Sequence, residues 1–356
     1  MNNHKYPYLW TLKDSVFTKN RGNVFSCFSC GGGSTMGYKL SGFDVIGCND
    51  IDPRMMSVYI YNHHPKYHYC EPIQIFKDRN DLPDELYHLD ILDGSPPCSS
   101  FSSSGNRSKD WGKEKKFREG QAEQILDTLF FDFIDLAKKL QPKVVIAENV
   151  KGLMLGDAIE YVRRIYDELD DAGYYCQHFL LNASLMGVPQ QRERVFFLCL
   201  RKDLASQFLY QYNLFEVKPK INVEFNELPI PIKEFTDYMG KEVTSPKVRE
   251  LWDNRKYGDK DQSSANMRMY GKPSNFGQSY VYQDDVCWTL TAKESSIIHF
   301  DVPRVLSEHE VKCVSTFPQD YNFCGESPHY IAGMSVPPVM MAQVATRVYE
   351  QWLSKI

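Results

Sequence analysis

Cys98 sits in the segment Leu92–Ser104, LDGSPPCSSFSSS, and its neighbours set its chemistry. The apolar stretch Leu89–Leu92 predicts a strand, and Pro96 and Pro97 end it by fixing φ twice in succession and removing two backbone donors. The thiol is thereby held on a stiff turn at a strand end, as a nucleophile requires. Beyond it, the stretch from Asn106 to Arg118 carries Arg107, Lys109, Lys113, Lys115, Lys116 and Arg118 against Asp110 and Glu114, a basic loop able to close over an anionic substrate. Glu148 and Asn149 end a second apolar stretch, Lys143–Ala147, where a carboxyl group can hold or release a proton. Arg192 and Arg194 stand just before another apolar run and, spaced by two, are expected to project the same way. Phe28, Ser29, Cys30, Gly31, Gly32 and Gly33 form a glycine-rich turn after the β-rich run that begins at Asn23. A helix is predicted from Ser34 to Leu40, and strand, turn and helix together bring backbone N–H groups toward a ligand. A ligand-free tight turn gives the same pattern. Asp50 and Asp52, at the end of the next predicted strand, Phe43–Cys48, favour the ligand, because a carboxylate there can accept both hydroxyls of a ribose.

The elements that must position these groups alternate. After the second strand, Pro53–Tyr61 predicts a helix with proline in its first turn, whereas His63–Asp84 shows no period. Ile125, Leu126, Leu129, Phe130, Phe133, Ile134, Ala137 and Leu140 recur at helical spacing up to Pro142. A further helix is expected over Asp157–Asp171, with Ile159, Val162, Ile165, Tyr166 and Leu169 on its apolar face and Gly173 beyond it. Strands are expected at Tyr175–Leu181 and Val195–Leu200. The first 200 residues therefore predict an α/β fold, a doubly wound, mostly parallel sheet with helices on both faces.

With 356 residues the chain can hold this domain and a smaller one. From Arg201 the period fades and Pro219, Pro229, Pro231, Pro246 and Pro273 interrupt any long element, so a second domain is expected over 201–326, with 1–200 and 327–356 forming the first. Within it, Lys247, Arg249, Arg255, Lys256, Lys260, Arg268 and Lys272 are interleaved with tyrosines and amides, a mixture suited to phosphates and base edges and equally to a solvated loop. A formal net charge of -5 excludes a wholly basic nucleic-acid coat. The absence of an apolar run of membrane length and of a leader pattern leads us to expect a cytoplasmic protein with no membrane partner. The ten cysteines are expected to be free thiols, and Cys27 and Cys30, a single CxxC, are read as core packing rather than as a metal site.

Cys98, Glu148 and the glycine turn all fall at carboxyl ends of predicted parallel strands, where open α/β sheets bind ligands. A thiolate, a carboxyl group and a nucleoside-like cofactor on one face suit methyl transfer to an electron-poor ring. The ordered blocks FSCGGG, NDID, SPPC, TLFFD, ENV, QQRERV, RVLSEHE, TFP and GMSVPP, from residue 28 to residue 338, resemble the DNA cytosine-5 methyltransferase family. The resemblance covers the chain from about residue 23 onward except for a variable recognition region.

The resemblance implies a sheet of the S-adenosylmethionine-dependent type and a target-recognition domain. It implies Cys98 as the nucleophile at C6 of cytosine, Glu148 as the group at N3, and Arg192 and Arg194 as its orienting partners, with Pro97, Asn149 and Gln190 contacting the substrate. It implies S-adenosyl-L-methionine, released as S-adenosyl-L-homocysteine, held by Phe28, Ser29, Cys30, Gly31, Gly32, Gly33, Asp50, Ile51, Ile73, Leu129, Ser335 and Val336. The implied partner is duplex DNA, flipped at the target base, with a cognate restriction endonuclease as a companion and a monomeric enzyme. This chain departs from the family's pattern at Cys30, where a glycine is usual, at Pro72, where an acidic residue is common, at Met334 in place of asparagine, and in the SPPCS surroundings of Cys98. Family members that methylate transfer RNA also carry PPC, so a tRNA cytosine is the alternative substrate. A DNA-binding protein without catalysis would not need both Cys98 and Glu148. A nucleotide-dependent oxidoreductase would explain the glycine turn but not SPPC, ENV and RER together.

Overall fold

The computed structural model describes residues 4–97, 114–115, 124–125, 128–155, 158–213, 216–273 and 278–356. Cys98 and most of the basic loop after it lie outside the described residues. The chain divides into two compact units, one of Val16–Leu181, Glu193–Glu224 and Met341–Ile356, the other of Met1–Ser15, Asn182–Arg192 and Phe225–Met340. Composition places the boundaries near 200 and 327; the contacts divide the chain elsewhere. Gln177 Nε2 donates to Pro219 O at 2.7 Å and Trp352 Nε1 to Lys220 O at 2.8 Å, which ties the stretch after 200 to the first unit.

The first unit is built on a seven-stranded sheet. Its strands are β1 (Asn23–Cys27), β2 (Asp44–Asp50), β3 (Tyr67–Cys70), β4 (Ile91–Gly94), β5 (Val144–Val150), β6 (Tyr174–Asn182) and β7 (Glu193–Arg201). They lie in the order β3-β2-β1-β4-β5-β7-β6. Pairing is parallel from β3 through β5, and β7 runs antiparallel to β5. Order reverses beside β1, the switch point at which such sheets bind ligands. The helices are α1 (Gly33–Leu40), α2 (Pro53–His63), α3 (Ile73–Phe76), α4 (Leu129–Leu140) and α5 (Ala158–Asp171).

Residues 144–147 of β5 are all buried, which is why that strand reads as a continuous apolar run. In α4, Leu129, Phe130, Phe133, Ile134, Ala137 and Leu140 join one core with Phe25, Leu92, Val145 and Phe197. The helix starts at Leu129 rather than near Ile125, because Gln124 and Ile125 pair antiparallel with Glu114 and Lys115. Ile159 is 48% exposed, so the apolar face of α5 runs through Tyr161, Val162, Ile165 and Leu169 instead. β3 and α3 occupy the stretch in which the sequence shows no period. They are too short for periodicity to register, four residues each.

The second unit has short parallel pairs, Ser279–Val281 with Ile297–His299 and Gln190–Gln191 with Cys287–Trp288. Its core gathers Ile232, Val281, Cys287, Leu290, Leu306 and Val311. The helix Glu308–Ser315 opens on a capping box in which the Ser307 side chain and Glu310 satisfy each other's backbone donors. Every described cysteine is a free thiol. Among the described residues no helix is long and apolar enough to cross a membrane.

Candidate active site

The glycine turn follows β1. Phe28, Cys30 and Gly32 adopt φ of 53°, 46° and 82°. A left-handed conformation costs an L-residue roughly 1–2 kcal/mol, so two of these positions hold strain of the kind that collects at functional turns. Surrounding bonds maintain it: Ser29 N donates to Asn49 O at 3.3 Å, Gly32 N to Ser29 O at 2.8 Å, and Cys30 N to Asp50 Oδ2 at 2.7 Å. Only glycine fits at 32, because a Cβ there would lie 2.2 Å from His63 Nε2. As N-cap of α1, Gly32 makes no side-chain bond to the first turn, and that turn contains no acidic residue. Gly31 is buried above His63, and Gly33 begins the helix, whose N-terminal end suits an anionic group.

Asp50 closes β2 beneath this turn. Its Oδ1 accepts from Asp52 N at 2.8 Å while Oδ2 takes the Cys30 N–H. Burial pushes its pKa up to about 6 against those backbone donors. Asp50 therefore first braces the turn; Asp52 caps α2 through Arg54 N at 2.9 Å. Ile51 is half-buried. Ile73 and Leu129 are core residues at the heads of α3 and α4, 2% and 0% exposed, and the Phe28 ring packs on that core 6.4 Å from Phe133.

Glu148 lies inside β5, opposite Phe196 of β7, while Arg194 pairs with Val150. That register puts Arg194 diagonally across from Glu148 on the same face. Arg194 Nε meets Glu148 Oε1 at 2.9 Å, with the two side chains only 14% and 10% exposed. Burial draws the Arg194 pKa down, and the Glu148 carboxylate works against it. The next residue, Asn149, donates from Nδ2 to Pro96 O at 3.0 Å and accepts from Val150 N at 2.9 Å. Asn149 thus fastens the end of β5 to the turn two residues before Cys98, beside half-buried Pro97.

The described partners of Arg192 differ from those of Arg194. Arg192 lies between two strands rather than in one, so the alternation expected from a spacing of two does not apply, and it belongs to the second unit. There its guanidinium donates to Leu290 O at 3.1 Å, Gly333 O at 2.9 Å and Ser335 O at 3.0 Å. Gln190, fully buried, donates to Val314 O at 3.1 Å and accepts from Leu290 N at 3.1 Å. Ser335 and Val336 are buried in the turn that Arg192 holds.

The model of the C-5 cytosine-specific DNA methylase family matches residues 22–350. The chain belongs to that family. The type II methyltransferase M.FnuDI of Fusobacterium nucleatum is 36% identical over 199 residues, 55% of this chain and 52% of that protein, so the chain spans about half the length of that relative. M.DdeI of Desulfomicrobium norvegicum is 26% identical across 92% of this chain and 88% of its own length. An E. coli prophage protein described as a DNA modification methyltransferase has the same fold at TM-score 0.66 and 20% identity, covering 92% of this chain and 99% of that one.

Asp93 is a further buried acid in the sheet. It is 1% exposed in β4, accepts from Ser26 Oγ at 2.7 Å and Tyr38 OH at 3.0 Å, and has its pKa pushed up to about 7 by burial. The available signal was an acid inside the apolar stretch ILDG.

Proposed function

We propose that this chain transfers a methyl group from S-adenosyl-L-methionine to C5 of a cytosine flipped out of a specific duplex DNA sequence, through a covalent bond from Cys98 to C6. The observation that carries the reading is the Glu148–Arg194 pair at the end of β5, next to an asparagine that holds the turn leading to Cys98.

The chemistry follows from the ring. Cytosine C5 is a poor nucleophile until a thiolate adds at C6 and makes it the carbon end of an enamine. Glu148 holds a proton at N3, which offsets the charge that addition places in the ring, and accepts from the exocyclic amine. That pairing selects cytosine over thymine. Arg194 fixes the carboxyl group's orientation. Once C5 is methylated its proton departs to water, and the Cys98–C6 bond breaks by elimination.

The turn Phe28–Gly33 and Asp50 would hold the cofactor, which supplies an electrophilic methyl group. The uncapped N-terminus of α1 fits a carboxylate, and the buried Asp50 fits a hydroxyl donor at the strand end. In this reading residues 201–326 contain the target-recognition part, and the protein acts alone on DNA in the cytoplasm, with a cognate restriction endonuclease as its companion.

Incubation with methyl-labelled S-adenosylmethionine and either duplex DNA or transfer RNA tests this. Label at C5 of cytosine in DNA is expected. Label in tRNA alone would transfer the same chemistry to the RNA substrate that the doubled proline also permits, and no label in either would end the proposal.

A further inference from the structure

The turn Phe28–Gly33 contains three glycines in succession, and glycine has more backbone freedom to lose than any other residue. Such a turn presents its amides in one direction only if contacts from outside fix its peptide planes. From the end of β2, Asn49 O accepts from Ser29 N and Asp50 Oδ2 from Cys30 N, which fixes the planes that precede Ser29 and Cys30. The plane between Gly31 and Gly32 is held at both ends. Its N–H, that of Gly32, donates to Ser29 O at 2.8 Å, and its carbonyl, Gly31 O, lies 3.3 Å from His63 Nε2. A carbonyl only accepts, so Nε2 is the donor of this pair.

His63 is the last residue of α2 and comes to the turn on a capped helix. Asp52 and Pro53 open that helix, and the left-handed His64 closes it by donating its N–H to Ile60 O at 3.1 Å. Two further contacts bind α2 to α1: Thr35 Oγ1 and Tyr59 OH are 2.7 Å apart, and Lys39 Nζ donates to His63 O at 3.2 Å. His63 is 6% exposed, with its ring 4.6 Å from that of Tyr59. Burial, reinforced by the charge of Lys39, draws its pKa well down, so the imidazole is neutral and a single ring nitrogen carries a proton. That nitrogen is the one facing Gly31. The same ring fills the space where a side chain at 32 would stand, with Nε2 2.2 Å from the position of a Cβ, so His63 matches the glycine above it in shape as well.

We infer that His63 is a positioning residue for S-adenosyl-L-methionine: its Nε2–H holds the Gly31 carbonyl and thereby preorganises the turn that receives the cofactor. The inference rests on the cofactor reading above and deepens it by adding a residue at the far end of α2. Fixing the peptide plane before the cofactor arrives removes an ordering cost from binding and leaves the chemical step unchanged.

The test is calorimetric titration of the full chain with S-adenosyl-L-homocysteine, alongside single-turnover methyl transfer at saturating S-adenosyl-L-methionine. His63→Leu removes the donor, and binding about tenfold weaker is expected, with the single-turnover rate at the parent value. His63→Gln, whose amide can reach the same carbonyl, is expected to bind as the parent does. His63→Asn, too short to reach it, is expected to repeat the loss and decides the matter if the leucine variant does not fold. Tyr59→Phe removes the hydroxyl that meets Thr35 but keeps the ring, so it should lower the melting temperature without changing affinity. Parent affinity in a folded His63→Leu or His63→Asn variant, while the parent binds, overturns the inference alone. So does weak binding by His63→Gln, which would assign the effect to the ring's shape, or an equal loss in Tyr59→Phe, since loosening the helix pair would then suffice. A parent that takes up no S-adenosyl-L-homocysteine overturns the cofactor reading and this inference with it.

Discussion

Glu148 in the first unit and Glu310 in the second each meet a nitrogen-bearing side chain, and the two pairs differ in access. Glu148 and Arg194 lie at a strand end with 10% and 14% of their side chains reachable. His299 and Glu310, 3.1 Å apart, are both 0% exposed, and Glu310 also accepts from Ser307 N at 2.8 Å and Asp237 N at 3.2 Å. Burial alone would raise the Glu310 pKa, but His299 and the two backbone donors outweigh it and hold the group below its ordinary value. The described partners of Glu310 lie in its own unit, whereas the Glu148 side chain at its strand end retains 10% exposure. A carboxylate saturated by internal donors serves stability; one oriented by a single arginine can also serve a reaction.

The largest effect is expected at Glu148. Glu148→Gln should lower single-turnover methyl transfer by about 10²–10⁴-fold while the amide oxygen still accepts from Arg194, and retained turnover would remove Glu148 from the chemistry. The opposite pattern is expected of Glu310→Ala. Breaking a fully buried pair costs roughly 3–5 kcal/mol, so urea unfolding should shift strongly, and any remaining folded protein should transfer at the parent rate per molecule. If the two substitutions behave alike, access does not distinguish the pairs.

A pH effect comes next. Asp93 and Asp50 have folded pKa values raised by burial to about 7 and about 6 from an ordinary 3.8. Folding therefore takes up protons, so their stabilising contribution is complete below the ordinary value and is lost as pH rises through the folded values. Stability should fall between about pH 4 and 7, and Asp93→Asn should flatten the upper part of that slope in denaturant titrations. The smallest effect is expected at Cys30. Its φ of 46° suits glycine, so Cys30→Gly should stabilise the chain by about 1 kcal/mol. An unchanged or lower unfolding midpoint would show that the cysteine side chain contributes more than its strain costs.

The apolar strands, the amphipathic α4 and α5 and the glycine turn were legible because each is a local pattern with one period or one steric requirement. β3 and α3 were not, being shorter than a period can register. The same division runs through the site. Residue types and order determined the family, the doubled proline that follows β4 and the carboxyl group at the end of β5, since chemistry and turn sterics are written in single positions. Which arginine meets that carboxyl group was decided by the tertiary structure alone. The antiparallel register of β5 and β7 brings Arg194 to Glu148, while the break before Glu193 sends Arg192 to the carbonyls of Leu290, Gly333 and Ser335. A spacing of two says nothing about where a strand begins.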